Sequence, residues 1–381
     1  MGGLPGLQRL GQCRPWQQVS LLVALAAVMA LAGVALTRSR WHAAIPVGIG
    51  IDLPLTAGGA IDPSDKNTAD LYKEENPASP IQIQSVYNSA DPRQAAPELQ
   101  QAMDQGIQFF VNTQASNNAL ECLSLFASRR ALTINVSATS TRLTGRDDYF
   151  LRIIPDLRAE QIAIARQVNR LPGRRLLILQ DNGNLAYTNP ALQAFRQALE
   201  PRWQLQVRQL RFSTYRPQEL EPLLLQPFDG LYILGGGFLP LIGNMAQQFH
   251  RHHPQAPIVL TPWARSALVL AHAGPASDRI LQISPYPDGH RDPALRNYLQ
   301  RFQRRFGYEP YAMSIGTRQA LELLDQAFAR GHRTPEAVKR YLLSQPVHQT
   351  SLGPIRLDRY GDTQAQFHAY TPSPAPAAQQ R

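Results

Sequence analysis

Along the body of this chain, short continuous apolar runs alternate with longer stretches that carry a helical repeat. The runs at 47–53, 81–86, 107–111 and 131–136 are bounded by Gly, Pro, Asn or Ser, which predicts buried strands. The pattern returns at 175–179, 205–210, 230–234, 257–260 and 279–283. A first helix is predicted after Asp91-Pro92, because Asp91 can cap orphan amides and Pro92 suits the first helical position. Leu99 and Met103 share a face of that helix, and Gly106 ends it. Further helices are predicted at 116–129, 158–171, 189–200, 238–252, 292–306, 312–330 and 335–344. Alternation on this scale implies parallel sheets covered on both faces, with right-handed crossovers.

The alternation breaks at 149–155, an extended apolar stretch ending in Pro155, which disfavours helix in the residue before it. This predicts a strand that crosses out of a first lobe. Residues 281–287 predict the return crossing, and a third crossing is expected before Leu352-Gly353-Pro354. The tail at 372–381 is Pro, Ala and Gln-rich and is expected to be disordered. At the other end, no charged residue falls between Arg14 and Arg38. The core of that run, 19–36, has no polar face, and roughly 20 residues of helix cross a bilayer. Arg9 and Arg14 supply the positive flank of the cytoplasmic side. Ala30-Leu31-Ala32 resembles a cleavage site, whereas the length of the run and Arg38 and Arg40 favour retention. A signal peptide and a membrane anchor both stay open, and either exports the body. No cysteine stands at a lipobox position.

Length and composition sharpen this outline. At 381 residues the chain suits two lobes, and an apolar fraction of 44% can fill two cores. The formal charge of +10 is almost all arginine, since the lysines are Lys66, Lys73 and Lys339 alone. The arginines are scattered, with only short pairs such as Arg174-Arg175 and Arg304-Arg305, so no nucleic-acid groove is expected. Cys13 and Cys122 fit no metal spacing and are expected to form no disulfide with each other. His250, His252 and His253, with Arg251, read as the cationic end of a helix, and Asp147-Asp148 as a solvated turn. Gly235-Gly236-Gly237 reads as a tight turn after a strand. No nucleophile elbow, metalloprotease motif, phosphate loop or dinucleotide fingerprint occurs, so neither an enzyme, a cofactor nor a metal is expected.

Several local motifs then fall in a familiar order. Residues 47–56 (VGIGIDLPLT) resemble the opening of the Leu/Ile/Val-binding proteins of ABC transporters. Residues 88–95 resemble their turn into the second helix, and 115–144 their small polar loop Ser116-Asn117-Asn118 and Ser137-Ala138-Thr139. Phe150-Leu151-Arg152 is similar to the family's crossing. Residues 302–310 and 352–362 are similar to its C-terminal signatures. The resemblance covers about 47 to 362.

The resemblance implies a type I periplasmic-binding fold: α/β, with two Rossmann-like lobes, parallel sheets and three hinge crossings, preceded here by one apolar helix. The expected division is 1–45 as signal or anchor, 46–152 plus 284–350 as the first lobe, 153–283 plus 351–371 as the second, and 372–381 as tail. Ligands of such sheets sit at the carboxyl ends of the strands. Ser116, Ser137, Ala138 and Thr139 are therefore expected to hold a carboxylate, although Ser116 also suits a plain N-cap. Tyr187, Phe238 and Trp263 are expected on the facing side. Trp263 departs from the family, whose amino-acid binders carry an acid there to pair with the ligand ammonium. Arg265 nearby would disfavour an ammonium. Ala90 and Ala115 stand where some members carry a disulfide. The implied function is the extracytoplasmic binding component of an ABC uptake system, working with a small-molecule ligand and an inner-membrane permease. The alternative is an anchored sensory or scaffolding domain of the same fold.

Overall fold

Parallel pairing dominates two separate sheets in the computed structural model, which describes residues 44–51, 63–87, 92–237, 239–289, 291–363 and 366–372. The apolar run at 19–36, Cys13, Phe238 and the tail beyond Pro372 lie outside the described residues. Among the described residues no helix is long and apolar enough to cross a membrane.

The first sheet contains β1 (Ile45–Ile51), β2 (Ile81–Tyr87), β3 (Phe109–Asn112), β4 (Leu132–Asn135) and β5 (Phe150–Arg152), in the order β2-β1-β3-β4-β5. β3 and β4 are buried at every position, as expected of strands covered on both faces. The expected crossing strand at 149–155 begins inside this sheet, since Phe150–Arg152 pairs in parallel with β4 as its edge strand. The chain leaves the sheet only beyond Arg152, through Ile153-Ile154-Pro155.

The second sheet contains β6 (Arg175–Asp181), β7 (Gln204–Leu210), β8 (Gly230–Leu234), β9 (Ile258–Leu260) and β10 (Ile280–Ser284). A two-stranded ribbon of β11 (His348–Thr350) and β12 (Gly353–Ile355) follows, and β13 (His368–Tyr370) then returns to pair antiparallel with β10. The order is β13-β10-β9-β8-β6-β7. β8 is wholly buried at the centre, whereas β7, rich in Gln and Arg, is the exposed edge.

Helix starts follow local chemistry. Asp156 accepts from the Arg158 and Ala159 amides to open Leu157–Val168. Asp292 and Thr334 cap Pro293–Phe306 and Pro335–Ser344, each with Pro in the first turn. Gly307, at φ 82°, ends the former. Met313–Ala329 packs on the helix Ser64–Glu75 and on β3, and Pro335–Ser344 packs on β4, so chain that lies beyond the second sheet completes the first lobe.

The hinge is pinned by a buried ion pair. Arg152, 1% exposed, donates from Nε to Asp362 Oδ1 at 2.8 Å and from Nη2 to Thr144 Oγ1 at 2.7 Å. Its Nη1 reaches the Ser140 carbonyl at 3.1 Å. The segment around Asp362, between β12 and β13, thereby locks onto the end of β5, and Arg152 also forms an isolated parallel bridge with Asp362.

Candidate functional site

β3 and β4 end on Asn112 and Asn135, which are register partners. Each asparagine folds the loop that follows it, as short amide side chains do when they bond backbone two residues on. Asn112 Oδ1 accepts from the Gln114 amide at 2.6 Å. Asn135 Oδ1 accepts from the Ser137 and Ala138 amides at 3.0 and 2.6 Å, and its Nδ2 donates to the Gln114 carbonyl at 3.1 Å. The Ser137 hydroxyl lies 2.7 and 2.8 Å from the Thr113 and Gln114 carbonyls.

Ser116 is the first residue of the helix Ser116–Arg129, whose N-cap is Ala115, without a side-chain bond. The Ser116 hydroxyl instead accepts from the Ser140 amide at 3.2 Å, tying the two loops together. The plain-cap reading of Ser116 is thus replaced by a loop-to-loop bond. Ser116, Ala138 and Thr139 are buried together at the carboxyl ends of the strands.

Across from them, the second lobe holds a buried polar cluster. Tyr187 lies in the first turn of Leu185–Ala198, and Trp263 lies in a 3₁₀ turn at the end of β9. Both side chains donate to one carboxylate, Glu160: Tyr187 Oη to Oε1, and Trp263 Nε1 to Oε2 at 3.1 Å. Gln161 Nε2 donates to Oε1 at 2.7 Å, and Tyr232 Oη donates to Gln161 Oε1 at 2.9 Å. Burial pushes the Glu160 carboxyl up to about 7, while its three donors pull the other way. Burial and the neighbouring Glu160 hold the Tyr187 phenol well above its ordinary range.

Glu160 escaped the sequence reading. Its one local signal was an acid in the first turn of a capped helix, which ordinarily serves the helix dipole. The acid missing at position 263 is nonetheless present in space, delivered by another element to the indole of Trp263 itself.

The two sides meet. Asn117 Oδ1 accepts from the Ala186 amide at 3.1 Å, and its Nδ2 donates to the Gly183 carbonyl at 3.3 Å. Tyr311 donates to the Trp263 carbonyl, and the Leu157 amide donates to the Thr139 carbonyl at 2.8 Å.

Elsewhere the candidate chemistry has structural partners. His252 bonds Glu221 at 2.9 Å and His253 the Leu224 carbonyl at 3.1 Å. Asp147 pairs with Lys339 at 2.6 Å. Among the described residues no group of three His, Cys, Asp or Glu could hold a metal ion.

A family model described as periplasmic binding protein matches residues 46–371. No protein of curated function matches in sequence. A solute-binding protein of an ABC transporter from Rhodopseudomonas palustris, solved with 3,4-dihydroxybenzoic acid, superposes with a TM-score of 0.75 at 16% identity, over 86% of this chain and 93% of that one. The branched-chain amino acid transporter substrate-binding protein of Streptococcus pneumoniae, in complex with isoleucine, gives 0.73 at 16% identity over 86% and 96%. A leucine-binding protein of Thermotoga maritima gives 0.70 at 17% identity over 85% and 94%.

Proposed function

This chain belongs to the periplasmic binding protein family, and from that premise we propose that it is the extracytoplasmic ligand-binding component of an ABC-type uptake system. Its two lobes close on a small carboxylate-bearing ligand, an amino acid or a relative, and present the closed form to an inner-membrane permease. The supporting observation is the pair of facing half-sites at strand ends. Ser116 and Ser137–Thr139 form one, Tyr187 and Trp263 around Glu160 form the other, and Asn117 spans them. The ligand carboxylate belongs with the hydroxyls and helix terminus of the first lobe. Phe238, also expected as a ligand contact, lies outside the described residues.

Solved structures of the same fold hold isoleucine in one case and a dihydroxybenzoate in another. The Glu160 cluster bears on that choice. An ionised Glu160 offers a counter-charge to an ammonium, whereas a protonated one sits beside the uncharged ring of an aromatic acid without desolvating a charge. Thermal-shift screening against amino acids, amino-acid amides and hydroxybenzoates tests the proposal. Stabilisation by one class, lost on Ser116→Ala or Trp263→Ala, supports it. A flat response across the whole panel counts against it.

The second reading, an anchored sensory or scaffolding domain, draws on the mutual satisfaction of the cleft. Asn135 already takes the Ser137 and Ala138 amides, and Glu160 already takes Tyr187, Gln161 and Trp263. Under that reading small-angle scattering stays the same with and without every ligand of the panel.

A further inference from the structure

A cavity of about 450 Å³ opens beside the end of β9, and none of Ser116, Ser137, Thr139, Tyr187 or Trp263 lines it. Leu260, Ala264 and Leu270 give it apolar lining, and Arg265, Asp288 and Glu309 bring charge to it. Arg265 follows the turn Pro262–Ala264 of the second lobe. Glu309 sits in the loop between Pro293–Phe306 and Met313–Ala329, the helices of the first lobe. The cavity therefore has one charged wall from each lobe.

Arg265 and Glu309 are only partly matched. The side chains of Arg265 and Glu309 are 10% and 21% exposed. Arg265 Nε donates to Tyr370 Oη at 3.1 Å. Its Nη groups donate no hydrogen bond to any described residue, and Glu309 Oε1 stands 3.8 Å from Nη2, beyond hydrogen-bond reach. Asp288 has partners of its own, exposed Arg291 at 3.5 Å among them. Burial opposes the charge on Arg265, but Tyr370, Glu309 and Asp288 outweigh it and keep the guanidinium cationic. A buried guanidinium with donors to spare is costly unless an acceptor arrives, and its planar fork suits a carboxylate.

We infer that this cavity is a second ligand site, taking a small zwitterion of the α-amino-acid type. The carboxylate receives the Nη pair of Arg265, the ammonium meets Glu309, and the side chain rests on Leu260, Ala264 and Leu270. A bare carboxylate would face Glu309 without a counter-charge, and a bare amine would face Arg265, so both halves are needed. The volume lies within the range of small-ligand cavities. An occupant joins a residue of each lobe and so favours the closed form. This site is separate from the cleft proposed above.

Isothermal titration of the full-length protein with L-alanine and L-leucine, against acetate and ethylamine as half-ligands, tests the inference. At least one amino acid is expected to bind, with each half-ligand at least tenfold weaker. Arg265→Met and Glu309→Gln should each weaken that amino acid tenfold or more. Ala271, exposed and lining the cavity, provides a variant that leaves every charge in place: Ala271→Phe fills the space and should abolish the same component. It carries the test if circular dichroism finds Arg265→Met unfolded. The inference is overturned if neither amino acid binds the wild type, if acetate binds as tightly as they do, or if Ala271→Phe binds them unchanged.

Discussion

Trp263 and Glu160, 103 positions apart in the chain, are joined by one hydrogen bond of 3.1 Å from the indole nitrogen to Oε2. Burial has raised this carboxyl from its ordinary 4.5 to about 7. Between those values the folded chain keeps a proton that the unfolded chain has lost. Stability contributed by this group therefore falls as pH rises from about 4.5 to 7, by about 3 kcal/mol across the window. Glu160→Gln cannot titrate. The melting temperature of the variant relative to wild type is expected to climb by several degrees over that range, measured by calorimetry in matched buffers. A difference that stays level with pH would mean that the carboxyl is already ionised throughout.

Asn117 fastens the first lobe to the Gly183–Ala186 turn through two hydrogen bonds. Net bonds of this kind contribute about 1 kcal/mol each. On the proposed function, losing about 2 kcal/mol in Asn117→Ala should shift the open–closed equilibrium roughly thirtyfold toward open, seen as a larger radius of gyration in small-angle scattering. Melting of the separate lobes should be little changed.

Arg152 depends on Asp362 for its charge partner at the hinge. Asp362→Ala leaves a buried guanidinium without a counter-ion, which costs about 3–5 kcal/mol. Thermal denaturation should report a large drop, and limited proteolysis should find new cleavage near the last crossing.

Gly236 lies against Trp263. A Cβ added there would come 2.4 Å from the Trp263 Cβ, which no side chain tolerates. Gly236→Ala should push the indole off Glu160, change its fluorescence maximum, and weaken any ligand of the cleft by an order of magnitude or more.

Much of the scaffold was legible in the chain because strands and helices there announce themselves locally. The run at 230–234 is the strand Gly230–Leu234, and 335–344 is the helix Pro335–Ser344. Three α-helices of the described residues were not foreseen, the single turn Glu221–Leu224 among them. Ser64–Glu75 is mostly polar, and its buried side rests on few apolar residues such as Ala69, Leu71 and Tyr72. Ala267–Ala273 is too short for a periodicity to show. Phe150–Arg152 read as a crossing because it has no turn after it, yet pairing with β4 is a long-range fact that local pattern does not carry.

The site divided in the same way. Ser116 and Ser137–Thr139 could be placed at strand ends from spacing alone. Glu160 could not, because a glutamate in a first helical turn reads as solvated unless distant rings are known to cover it. Asn112 and Asn135 carried a signal that went unused: an asparagine closing each of two strands, ahead of a loop of small polar residues.

Those two asparagines bear on timing. Their side chains already hold the amides of the first-lobe loops, so on the proposed function a guest meets loops that are already ordered and takes its hydrogen bonds from hydroxyls rather than from those amides. Little ordering entropy is then left to lose on the first encounter. On the proposed function, capture becomes a docking step onto a finished surface. Its speed is set by diffusion, and how long the guest stays is decided afterwards by how firmly the opposite lobe swings shut.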